Sequence, residues 1–183
     1  MKLKQFFTLA AATFFFGAIV ANAQTASFSS TPGPFANLPH DCVSKTPSGS
    51  QVLFLNDTDV VTQSFTACTD GDARKVYVKV KQTSGDGQLT MSILDSRGEL
   101  LDKIKVTIKD GFSGVAIGKL SAKVENGVRY NLKLDAAGVD LIIEGRYTRI
   151  PGNDLYLNGW KLDGSISTAI GFKHINEIDA VQA

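Results

Sequence analysis

A chain of 183 residues with 19 basic and 18 acidic side chains has the size of one domain and almost no net charge. That balance excludes the basic footprint of a nucleic-acid binder. Outside one run near the N-terminus, no apolar stretch approaches the ~18–20 residues that a membrane-spanning helix needs.

The N-terminal run is itself too short for a span. Lys2 and Lys4 form a basic head, Phe6 to Val20 an apolar stretch, and Ala21-Asn22-Ala23 a small-x-small cleavage site. Residues 1–23 therefore read as a secretory signal peptide, and its phenylalanine-rich core suggests a bacterial source. Cleavage leaves Gln24 first. The remaining chain is 160 residues long, with 17 basic and 18 acidic groups once Lys2 and Lys4 are gone. A chain of that length buries roughly 70% of its unfolded surface. The expected location is secreted or periplasmic, with attachment at the cell surface as the variant of that reading.

Residues 24–50 hold four of the five prolines and many serines and threonines. Proline opposes both helix and central strand there. The segment reads as an arm laid over the domain by Phe28, Phe35 and Leu38. In an exported chain the cysteine pair, Cys42 and Cys68, reads as a disulfide fastening that arm. Closing a loop of ~26 residues would stabilise the fold by roughly 3.5 kcal/mol in the chain-entropy account.

From residue 51 the pattern is alternation. Gln51 to Leu55 is a short apolar strand ended by Asn56-Asp57-Thr58-Asp59. Val61 to Cys68 is the next strand. Val76, Val78 and Val80 share one face of a third, opposite Lys75, Tyr77, Lys79 and Lys81, a period of two that marks a half-buried strand. The lysines read as solubility or edge protection. Ser84-Gly85-Asp86-Gly87 then reverses the chain into Leu89, Met91 and Ile93. Ile104, Val106 and Ile108 alternate with lysines and a threonine; Val115 to Leu120 follows. Asn126-Gly127, a tight-turn dipeptide, launches Val128, Tyr130, Leu132 and Leu134. Val139, Leu141, Ile143 and Gly145 face one way in the next strand. Leu155 to Leu157, Asn158-Gly159, Trp160 with Leu162, and Ile166 to Phe172 close the series, leaving 175–183 as a tail in which Asn176 to Gln182 could make a helical turn. No segment shows a sustained 3.6-residue period. The expected fold is all-β, an antiparallel β-sandwich over residues 51–174 following the signal peptide and arm.

Several of these elements resemble a family of jelly-roll domains of secreted bacterial proteins. They are Gln63-Ser64-Phe65-Thr66-Ala67, the Val76/Val78/Val80 strand, Gly87-Gln88-Leu89-Thr90 with Ile93, Gly127 with Tyr130, Leu132 and Leu134, and Leu155 to Gly159. The resemblance implies a jelly roll like that of carbohydrate-binding modules.

One stretch has the composition of a sugar site. Trp160 and Tyr156 supply aromatic faces, and Asn153, Asp154 and Asn158 supply amide and carboxylate groups, the pairing that gives area and orientation to a bound pyranose. The competing assignment places Trp160 in the core, plugging one end of the sandwich. Asp57/Asp59 and Asp70/Asp72 offer oxygen ligands in loops but lack the calcium-loop pattern, and aspartates cap turns without metal. No metal site and no cofactor are expected.

Catalysis finds no support in the sequence. His40 and His174 have no triad partners nearby, and neither G-x-S-x-G nor H-E-x-x-H occurs. Retaining glycosidases need two carboxyls about 5 Å apart, and the E-x-D-x-x-E strand that supplies them in jelly-roll enzymes is absent. The sequence points to a non-catalytic binding protein whose partner is a glycan or polysaccharide at a loop-lined end of the sandwich. The alternative is a structural or adhesive surface protein acting through protein contacts.

Overall fold

The computed structural model describes residues 42–45, 49–147 and 150–174, with the backbone alone at 42–45 and 174. The expected signal peptide, most of the arm with Phe28, Phe35, Leu38 and His40, and the tail lie outside the described residues. Thirteen strands and no helix occupy the described ones. In chain order they are β1 (Cys42–Lys45), β2 (Gln51–Leu55), β3 (Val60–Thr66), β4 (Gly71–Ser84), β5 (Gly87–Leu94), β6 (Leu100–Ile108), β7 (Gly114–Val124), β8 (Arg129–Ala137), β9 (Asp140–Arg146), β10 (Leu155–Leu157), β11 (Trp160–Leu162), β12 (Ser165–Ile166) and β13 (Thr168–His174). Every pairing is antiparallel. The all-β sandwich expected from the alternation is the one observed.

One sheet runs β11-β10-β3-β8-β5-β6. The other is built on β4, which has β7 along one edge and β13, then β9, along the other; β1 lies beyond β13, while β2 and β12 flank β9. Alternation explains the layers. Val76, Val78 and Val80 of β4 and Leu89, Met91 and Ile93 of β5 are all fully buried, facing each other across a single core. Each such aliphatic side chain contributes about 1.5–3 kcal/mol on burial. Phe65 of β3 joins Tyr130 and Phe172 in an aromatic group that bridges the layers. On β7, Gly118 admits the close approach of the edge strands, since a Cβ there would sit 2.7 Å from Ile104 Cγ2 and 2.8 Å from Met91 Sδ.

Gln63 is the largest of the fully buried polar side chains, at 2% exposure. Its amide oxygen accepts from Ile166 N at 2.7 Å and its amide nitrogen donates to Thr168 Oγ1 at 2.9 Å. It ties β3 to the opposite sheet where Ser167 passes between β9 and β4, donating to Glu144 O and accepting from Lys79 N. A buried amide satisfied in this way specifies one register.

The structure corrects the sequence reading in three places. Residues 42–45, placed in the arm, form an edge strand on β13; Pro39 and Pro47 flank it and leave its four residues free to pair. The lysines of β4 protect no edge, because β4 has a strand on both sides. Tyr77, expected on the wetted face, is 4% exposed against Ala169 and Val115, and that burial raises its phenol pKa above 10.0. Cys68 is not a free thiol; the side chain of Cys42 lies outside the described residues. No helix among the described residues is long and apolar enough to cross a membrane.

Candidate functional site

The stretch singled out for its composition folds as a hairpin. β10 and β11 pair Leu155 with Leu162, Tyr156 with Lys161 and Leu157 with Trp160 around Asn158-Gly159. Both turn residues have positive φ, 50° and 82°, as a two-residue hairpin turn requires. Leu155, Leu157 and Leu162 face the core. Trp160 does not: it is 79% exposed on the edge strand, so the core-plugging assignment is excluded. Tyr156 is half-buried, with the Lys161 ammonium 6.0 Å from its ring centre.

The polar members of the stretch belong to the fold. Asp154 Oδ2 receives Arg129 Nη2 and Oδ1 receives Lys161 Nζ at 2.8 Å. Its backbone N donates to Ser64 Oγ at 2.7 Å, and that hydroxyl donates to Gly152 O. Together these bonds fasten the loop before β10 to β3 and β8. Asn158 Oδ1 accepts from Val60 N at 2.7 Å, capping the start of β3, and its Nδ2 donates to Asp59 Oδ1 at 2.7 Å. Asn153 is buried, its N on Ile150 O. Asp154 and Asn158 also stand at opposite ends of a three-residue strand, about 13 Å apart at ~3.3 Å per residue. The five residues therefore do not converge on one point. Trp160 and Asn158 are exposed and Tyr156 half-buried, but the amide of Asn158 is engaged by Val60 N and Asp59.

A second feature lies at the same end of the sandwich, where the 56–59, 84–87 and 158–159 turns gather. Asp59, held by Asn158, also accepts from Asn56 N at 3.2 Å. It lines a groove of about 320 Å³ on the outer face of β2, β9 and β4. The floor is apolar: Phe54, 66% exposed, lies opposite Ile142. Gln82 lies opposite Ile142 on the far side, and Ser84 opposite Asp140. The sequence does not show this groove: Gln51 to Leu55 reads as a short apolar strand with no sign of which face is exposed, and the alternation of β4 is regular only as far as Lys81.

That alternation changes phase. A bulge between Val80 and Gln82 inserts one residue, so that Thr83 turns inward and buried while Gln82 and Ser84 turn outward and exposed. Bulges re-aim side chains in this way. Consecutive polar residues at 81 and 82, after three alternating valines, were the sequence signal.

Asp70 and Asp72 are likewise tied up locally. Asp70 Oδ1 accepts from Asn126 N at 2.8 Å. Asp72, buried, pairs with Arg74 and Lys123, each at 2.7 Å. No group of three or more His, Cys, Asp or Glu among the described residues could hold a metal ion. Both histidine side chains lie outside the described residues.

No family model and no curated protein matches this chain. Among solved structures, an arabinose-bound MgGH51 α-L-arabinofuranosidase aligns over 65% of this chain and 18% of its own, with 13% identity and a TM-score of 0.26. The chain thus corresponds to less than a fifth of that protein, and a superposition this loose carries no weight for fold or function.

Proposed function

We propose that this is an exported, non-catalytic protein that binds carbohydrate at the end of the sandwich where the 56–59 and 158–159 turns meet. The observation that carries the reading is the position of Trp160. An indole almost wholly in solvent, on a hairpin whose own core contacts are supplied by three leucines, is available to stack on the C–H face of a sugar ring. Tyr156 and Lys161, the next cross-strand pair, lie on the other face of the same hairpin. The test is retention on immobilised polysaccharides, comparing the wild type with Trp160→Ala at matched circular-dichroism spectra. Loss of retention in the variant is the expected result. Failure of the wild type to bind any polysaccharide would remove the proposal.

A second reading, an adhesive or structural protein, is favoured by one observation. β2 pairs with β9 alone among the described strands, and its outer face exposes Val52 and Phe54. An exposed apolar edge strand invites pairing with another chain. Concentration-dependent assembly, with Trp160 fluorescence unmoved by sugars, would favour it.

A further inference from the structure

We infer that the groove over β2, β9 and β4 is a subsite for one neutral sugar ring, separate from Trp160 and selective against acidic glycans. The inference rests on the carbohydrate reading and deepens it. Two rows of side chains cross the groove: Phe54, Ile142 and Gln82 in one, Asp140 and Ser84 in the other. Strands ~4.8 Å apart and rows ~7 Å apart make a patch about as large as one pyranose with its hydroxyls.

The polar groups are unoccupied. Among the described residues the side chains of Gln82, Ser84 and Asp140 have no hydrogen-bond or ion-pair partner, in contrast to Asp154 and Asn158 of the β10–β11 hairpin. Gln82 and Ser84 reach the surface only through the bulge. Without it, the alternation that buries Val76, Val78 and Val80 would direct both inward. An amide that donates and accepts, a hydroxyl and a carboxylate around an exposed phenyl ring match the edge and face of a polyol ring.

Charge selects the class of sugar. The lining contains two carboxylates, Asp59 and Asp140, and no lysine or arginine. Asp59 is held by an amide and a backbone N–H, both neutral. A uronate or sulfated ring would bring a third negative charge to this surface with no counter-charge to receive it. A neutral ring meets no such penalty, and its hydroxyls can donate to Asp140.

The experiment measures affinities for hexasaccharides of glucan, xylan and mannan and for a polygalacturonate hexasaccharide, by calorimetry at low ionic strength. At least one neutral chain is expected to bind tenfold or more tightly than the acidic one. Phe54→Ala and Asp140→Ala should each weaken the neutral chain tenfold or more, at unchanged melting temperature. Asp140→Asn should narrow the gap between neutral and acidic chains. Neutral binding that depends on Trp160 but is equal in wild type, Phe54→Ala and Asp140→Ala would overturn the subsite and leave the carbohydrate reading intact. Tighter binding of the acidic chain would overturn the selectivity. No binding by the wild type removes both.

Discussion

The β10–β11 hairpin and the groove beside it have nearly the same composition and opposite uses for it. Each offers an exposed aromatic ring next to amide and carboxylate groups. On the hairpin, Asp154 and Asn158 hold strands together, and the protein's own donors occupy them. In the groove, Gln82, Ser84 and Asp140 face outward with no partner among the described residues. Composition alone therefore does not define a binding site. A loop whose polar groups are filled by the fold is better understood as a fastening.

The sharpest way to break that contrast is Asp154→Ala. The substitution removes two ion pairs and leaves Arg129 against Ser64 without its carboxylate. Charge-assisted hydrogen bonds of partly buried groups contribute ~1.5–3 kcal/mol, so a loss of about 2 kcal/mol is expected in urea denaturation. A stability unchanged within error would mean that these ion pairs do not fasten the loop. Asn158→Ala comes next, at about 1–2 kcal/mol, because it removes the bond to Val60 N and puts alanine at a φ of 50°. Asn158→Gly keeps the φ and removes only the bonds; it should recover part of that loss.

Alternation made both layers and most of the core legible in the sequence, since Val76/Val78/Val80, Leu89/Met91/Ile93 and Leu132/Leu134 needed only a period of two. The site was less legible. Trp160 stands across from Leu157, on the leucines' face by the period of two, yet β11 is the outermost strand of its sheet and the indole stays exposed, which alternation alone does not reveal. Tyr77 shows the converse: its position in the pattern is outward, and its burial comes from the neighbouring strands. The groove was hidden because one inserted residue after Val80 reverses every later side chain on β4, and periodicity carries across no such slip.

Substitutions in the groove should cost the fold almost nothing. Phe54→Ala, Gln82→Ala and Asp140→Ala are each expected within ~0.5 kcal/mol of wild type, the range of surface positions without partners. A melting temperature falling by several degrees in any of them would place that side chain among the fastenings and weaken the subsite.

The smallest effect concerns the turn that borders the groove. Asp86 accepts from Asp110 N at 2.8 Å and pairs with Lys109 Nζ at 2.9 Å. The backbone hydrogen bond first, then the Lys109 side chain, holds its carboxyl below the ordinary value of 3.8. A carboxylate with a depressed pKa in the folded state stabilises above its unfolded pKa, and that contribution is lost as pH falls through the folded one. Asp86→Asn should therefore lower stability slightly at neutral pH and flatten its decline below about pH 4. The pair is solvent-exposed, so salt should shrink the difference. An acid limb identical in the variant and the wild type would show that Asp86 does not fasten the turn, and that the groove's border is set by the backbone bonds alone.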